Sequence, residues 1–175
     1  FLFDGSQDRD NLLWDIPIGY ITVRAKDQPL FSYMKKRINT LITALGSADW
    51  VKFNPGHNSL YRVAYTPRMW KLLADAVRNN ELPEADRLGL LDDAFALSRA
   101  GYMRTSDALN LLSAYKNEDS FYVWTVISGA IGAIDGLMQE DPDQPKVGKF
   151  AGKLFAPIAA KMGWDKPEQH EENPQ

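Results

Sequence analysis

The chain has 175 residues, 45% of them hydrophobic and 25% charged, with a formal net charge of −3. That is the size of one domain or of parts of two, and an ordinary composition for a globular protein with a buried core. The charge argues against nucleic acid or an anionic membrane as partner, and the absence of cysteine excludes disulfides, thiolate metal sites and a cysteine nucleophile.

The opening "FLFDGSQDRD" has neither a basic start nor an apolar core, so no signal peptide is expected there. "LLWDIPIGYITV" (12–23) follows as a strand, with Trp14, Ile16, Ile18, Tyr20 and Thr22 predicted to face the core. Pro17 lacks an N–H and marks an edge strand or a bulge. "FSYMKKRINTLITAL" reads equally as a short helix or a strand. "DWVKF" and "LYRVAY", joined by the turn residues Asn54 to Ser59, predict a β-hairpin.

From Thr66 the pattern turns helical. Thr66 and Pro67 read as an N-cap and a first-turn proline, and Trp70, Leu73, Ala74 and Val77 recur at helical spacing up to Asn79-Asn80. A second helix opens at Pro83 and stops at Gly101, with Leu88, Leu91 and Phe95 beside Leu90, Ala94 and Leu97 as its apolar stripe. Thr105 is expected to cap a third helix running to Tyr115. A fourth, from Ser120 to Met138, is apolar nearly all round and should be central. A fifth lies between Gln144 and Gly163, with Pro157 as a candidate kink. "FYVWTVISGAIGAI" (121–134) is too short to cross a bilayer. The fold class expected is mainly α with a β module. Residues 1–66 would be the β part, and 67–175 an antiparallel, α-solenoid-like array of helical hairpins.

The sequence offers little catalytic chemistry. His57 lies in the predicted turn, where an exposed polar role is expected. His170 opens "HEENP", which lacks the second histidine of a zinc helix. Asp92 and Asp93 are neighbours about 100° apart on a helix and do not converge as an acid/base pair; one should bond a neighbouring segment and the other stay solvated. Gly129, Gly132 and Gly136 match no phosphate loop and suit close helix packing instead. No catalytic, metal-ligating or cofactor-binding residue is assigned. Tyr61 and Arg62 are candidates for tying the β module to the first helix, and Arg87 for a similar tie.

Several blocks occur in an order that resembles a known family: "LLWDIPIGYIT", "DWVKFNPGHNSLYRVAYTPRMWKLLADAV", "ADRLGLLDDAFALSRAGYM", "ALNLLSAYKNEDSFYVW" and "MGWDKPEQHEE". They look like the gluzincin zinc aminopeptidases of the puromycin-sensitive, membrane alanyl and endoplasmic-reticulum type. The resemblance implies the end of a β-sandwich followed by the first part of a C-terminal helical domain. It also implies a parent enzyme whose zinc, held by upstream residues with no counterpart here, activates a water against the first peptide bond. The partners implied are the missing catalytic domain and the parent's peptide substrate. Where the family has Gly-Tyr-Tyr-Arg, this chain has Ser59-Leu60-Tyr61-Arg62, and Pro55-Gly56 displaces the usual glycine after the asparagine. An uncovered face on the fifth helix would favour self-association. The alternative reading is a stand-alone helical module, derived from the same ancestor, that binds another protein. The lack of cysteine and of a signal peptide favours the cytoplasm, although many secreted proteins also lack cysteine, so the compartment is not assigned.

Overall fold

The computed structural model describes residues 15–36, 38, 46 and 49–163. The expectations on Leu13, Trp14, most of Arg37 to Leu45 and the tail with His170 lie outside these residues.

Among the described residues three strands, β1 (Ile16–Thr22), β2 (Ala25–Met34) and β3 (Val51–Phe53), form an antiparallel sheet in the order β2-β1-β3. Phe31 to Met34, left open by the sequence, belong to β2. Pro17 sits in the central strand, yet β3 pairs only with Tyr20 to Thr22, so β1 has no described neighbour on its second side at Pro17. The register shifts between Tyr20 and Thr22.

The predicted facing of β1 is corrected. Ile21, from the set expected to point outward, is 1% exposed and joins the main core with Trp50. Tyr20 and Thr22 are buried as well, whereas Ile16 and Ile18 are only half-buried. The end of the strand is covered on both faces, and a period-two reading assumes that one face stays wet.

The predicted hairpin is also corrected. β3 pairs with β1, a 3-10 turn occupies Pro55–His57, and Tyr61 to Thr66 run extended without a ladder. Side chains take over the backbone bonds a hairpin would have made. The Phe53 N–H donates to the Tyr65 hydroxyl at 2.9 Å and the Val63 N–H to Asp93 Oδ2 at 3.3 Å. Asn54, at φ 55°, closes the loop on Ser59 through both its amide nitrogen and its carbonyl oxygen, at 2.9 and 2.8 Å.

Among the described residues five α-helices follow: α1 (Pro67–Arg78), α2 (Glu84–Arg99), α3 (Thr105–Leu112), α4 (Phe121–Leu137) and α5 (Gln144–Met162). Thr66 caps α1 as expected, its Oγ1 accepting from the Met69 N–H at 3.3 Å. The α2 C-terminus turns at Gly101, φ 78°. Thr105 is the first helical residue of α3 rather than its cap, and its hydroxyl meets Ser98 Oγ at 3.0 Å. The last predicted turn of α3 is a 3-10 segment, Ser113–Asn117. α5 runs unbroken through Pro157.

One core joins the elements. Leu73 and Val77 of α1, Leu90, Leu91 and Ala94 of α2, Leu111 and Leu112 of α3, Val123 and Ile127 of α4 and Leu154 of α5 pack together. α2 packs against α3 and α4, and α4 against α5. The expectation that α4 is central is overturned. Val123, Trp124, Ile127 and Ile131 are buried, but Phe121, Tyr122 and Leu137 are exposed. A Cβ placed on Gly129, Gly132 or Gly136 would meet no described atom within 4 Å, so these glycines admit no close helix neighbour among the described residues.

Candidate functional site at the joint

The joint between sheet and helices is assembled from side chains on β3, the 3-10 turn, the extended segment and α2. Lys52 alternates with Val51 and Phe53 on a short strand. Its Nζ, wholly buried, donates to the Asn54 carbonyl at 2.7 Å and pairs with Asp86 at 2.8 Å. The same Asp86 oxygen accepts from the Gly56 N–H at 2.9 Å. A buried ammonium needs such pairing, because desolvating either charge alone costs several kcal/mol, roughly. Trp50 adds a second tie, its indole N–H donating to Glu81 at 3.1 Å.

Beside this pair lies a second ionic cluster. Arg62 Nη1 bonds Asp92 Oδ2 and approaches Asp93 Oδ1 at 3.3 Å. His57 Nε2 lies 3.2 Å from that same Asp92 oxygen. The imidazole rests over Gly89, where an added Cβ would stand 2.8 Å from Nδ1; Nδ1 itself is buried without a partner. Burial pushes the Asp93 carboxyl above its ordinary range, against the pull of Arg62 and the Val63 N–H. Burial also works against the charge of Arg62, but the two carboxylates outweigh it and hold the guanidinium charged. Tyr61 points inward toward the backbone of Gly19 and Asn54; burial raises its phenol, and the hydroxyl makes no well-formed hydrogen bond.

Arg87 also stands on α2 but bonds elsewhere. Its Nε and Nη2 grip Glu118 at 2.7 and 2.8 Å, and Nη1 donates to the Leu82 carbonyl at 2.8 Å. Glu118 Oε1 also accepts from the N–H groups of Asp119 and Ser120 at the start of α4. Tyr115 donates to the Arg87 carbonyl at 2.7 Å, and Trp124 to that of Glu118 at 3.1 Å.

The structure therefore brings Tyr61, Arg62, Asp92 and Asp93 together and leaves Arg87 apart. Arg62 ties the extended segment to the second helix, not the first, because α2 presents the carboxylates. Arg87 binds α2 to the turn ahead of α4 rather than sheet to helix. Asp92 is not merely solvated; it shares its oxygen between Arg62 and His57. His57 is half-buried against α2 rather than an exposed turn residue. Sequence reasoning missed Lys52, Asp86 and Glu118. A lysine between two apolar strand residues was the one signal for the first, and Glu118 directly ahead of the Ser120 cap was the signal for the last.

The family profile described as "ERAP1-like C-terminal domain" matches residues 50–175. The chain belongs to the gluzincin aminopeptidase family. It is 32% identical over 165 residues to "Aminopeptidase A" of Gloydius brevicauda, covering 90% of this chain and 17% of that protein. Identity to "Glutamyl aminopeptidase" of Bitis rhinoceros is 37% over 125 residues, 70% of this chain and 13% of the relative. For the protein of that name in Homo sapiens it is 32% over 161 residues, 90% and 17%. The chain thus spans about one sixth of the length of these aminopeptidases and corresponds to their C-terminal part.

The aminopeptidases of this family are zinc enzymes, but the described residues of this segment do not fit the metal. Among the described residues no group of three or more His, Cys, Asp or Glu is placed to hold an ion. The carboxylates nearest a histidine, Asp92 and Asp93, are already engaged by Arg62. No helix among the described residues is long and apolar enough to cross a membrane. What the joint does is mechanical: two charge clusters hold β3, the turn after it and the segment around Arg62 onto α2, and an indole bond ties Trp50 to Glu81 ahead of α2.

Proposed function

We propose that this chain is a non-catalytic segment of a zinc metallo-aminopeptidase that removes N-terminal residues from peptides. In this reading residues 1–66 end a β-sandwich, and residues 67–175 begin a solenoid-like helical domain that closes over the catalytic cleft. The observation that carries it is coverage: the family profile takes residues 50–175, while 90% of the chain aligns to only 17% of the relatives' length. The run Tyr61–Tyr65 supports the sandwich end, since its burial alternates as a strand's does, with no ladder to another described strand. The packing of α2 on α3 and of α4 on α5 supports the helical-hairpin reading. In this reading Tyr61, Arg62, Asp92 and Asp93 at the joint, and Arg87 apart from it, have structural roles.

Two partners follow: the catalytic domain of the parent, and the peptide enclosed between them. The uncovered face expected on the fifth helix falls on α4 instead. Phe150, Leu154, Phe155 and Ile158 of α5 pack against the core, while the exposed Phe121, Tyr122 and Leu137 of α4 give the isolated chain a route to self-association. Sedimentation at rising concentration tests it; a monomer throughout would refute it. For the main reading, the chain alone, with and without zinc, is offered fluorogenic glutamyl and alanyl substrates. No turnover is expected, and chelator-sensitive turnover would overturn the assignment. Deleting the segment from the parent enzyme should abolish or sharply reduce peptide hydrolysis, with recovery when it is supplied in trans. Undiminished hydrolysis would refute the role at the cleft. The glutamyl substrate comes first because relatives carry that name.

A further inference from the structure

A hollow of about 490 Å3 lies between α1, the α2–α3 turn and α3, away from the ionic clusters. Its inner surface includes the buried Leu111, and Trp70 and Tyr102 supply aromatic surface. Trp70 is braced by Tyr65, ring edge to ring face, at 5.0 Å between centroids. Three ionisable side chains border the same space: Lys71 from α1, Arg104 from the turn and Asp107 from α3. All three are exposed, and none pairs with another described residue, although opposite charges share one hollow. Elsewhere in this molecule charged groups around a buried or half-buried space are consumed by one another, as Lys52 is by Asp86 and Arg87 by Glu118.

Two cations, one anion and aromatic surface form the complement of a molecule with a carboxylate, an ammonium group and an apolar side chain. The size falls in the range of small-molecule sites, about 300–1,000 Å3. We infer that this hollow binds a zwitterionic ligand, a free α-amino acid or dipeptide with an aromatic or long apolar side chain. Lys71 and Arg104 take the carboxylate, Asp107 the ammonium group, and Trp70 and Tyr102 the side chain. The inference rests on the hollow's own chemistry; its failure leaves the aminopeptidase assignment untouched, and the reverse holds too.

The test titrates the full chain with L-phenylalanine and with alanyl-phenylalanine, following amide shifts or heat. Two analogues, 3-phenylpropionate and phenethylamine, each lack one of the charges. Saturable binding of at least one zwitterion is expected, with each analogue weaker by about tenfold or more, the scale of one charged hydrogen bond. Arg104→Gln should weaken the zwitterion and 3-phenylpropionate but leave phenethylamine unchanged, and Asp107→Asn should do the converse. Both positions are exposed, and a melting curve confirms that each variant folds. Absence of saturable zwitterion binding, equal binding of all ligands, or indifference of binding to both substitutions would overturn the inference.

Discussion

Glu118→Gln keeps the shape of the side chain and removes one acceptor oxygen from a place where four donors converge. Arg87 Nε and Nη2 and the N–H groups of Asp119 and Ser120 all point at the two carboxylate oxygens, whose side chain is 2% exposed. The amide can accept at one oxygen only, and its NH2 then faces donors. Arg87 is left charged and nearly buried, and breaking a buried pair from one side costs about 3–5 kcal/mol. For a chain of this size each kcal/mol lowers the melting temperature by roughly 2–4 °C, so a drop of about 6–20 °C is expected. A thermal melt followed by circular dichroism measures the drop, and urea unfolding the free energy, at unchanged m-value. The pH dependence supplies an independent check. Burial opposes the charge of Glu118, but Arg87 and the two N–H groups outweigh it and hold the carboxyl below its ordinary value. A folded pKa below the unfolded one gives stability that is complete above the unfolded carboxylate range and lost as pH falls through the folded pKa. The difference between wild type and variant should therefore persist at neutral pH and shrink under acid, below about pH 4.3. A loss under about 1 kcal/mol, or a gap unchanged by acid, would refute the reasoning.

Gly89→Ala places a Cβ 2.8 Å from His57 Nδ1 and 3.1 Å from Cγ, so the imidazole must leave its seat. A loss of about 1–3 kcal/mol is expected, much of it recovered in the double variant with His57→Ala; a fully additive pair would show that the two do not touch. Lys52→Met strands Asp86 beside the Gly56 N–H and should cost about 3–5 kcal/mol by denaturant titration, whereas a neutral effect would mean the pair is wet. Asp93 behaves oppositely to Glu118. Burial raises its folded pKa, so its contribution is complete below the unfolded pKa and lost as pH rises through the folded one. Asp93→Asn should flatten that fall in a stability profile from pH 3 to 7, and an unaltered slope would refute it.

How far the sequence disclosed this arrangement depended on whether the signal was local. Thr66-Pro67, Pro83 and Gly101 announce helix ends through bonds made within one turn, and each end was found where those residues place it. The joint was not legible, because its bonds span about thirty residues, Arg62 to Asp92 and Asp93 and Gly56 to Asp86; the Arg87–Glu118 pair outside it spans as many. The failed hairpin has the same cause. Alternation in "LYRVAY" is present and real, since Tyr61, Val63 and Tyr65 are more buried than Arg62 and Ala64. The pattern records which side of an extended chain is covered. It does not record what accepts the backbone hydrogen bonds, and here Asp93 and Tyr65 supply that in place of a strand.

α4 carries the same point further. Its sequence, without a charge from Phe121 to Ile134, reads as a helix covered on every side, yet only the stripe through Val123, Trp124, Ile127 and Ile131 is buried. Apolar composition reports the surroundings a segment is built for, and here that exceeds what the described residues provide. Phe121 and Leu137 stand 77% and 88% exposed at opposite ends of a face whose middle is glycine, alanine and serine. A charged substitution on that face therefore separates two kinds of stability. Ser128→Glu should leave the unfolding free energy of this chain within about 0.5 kcal/mol, the ordinary range for a surface change. The same substitution in the longer aminopeptidase should destabilise it measurably if that face is covered there, because an unpaired carboxylate would be buried. Equal indifference in both would show that the apolar face of α4 has no neighbour in either.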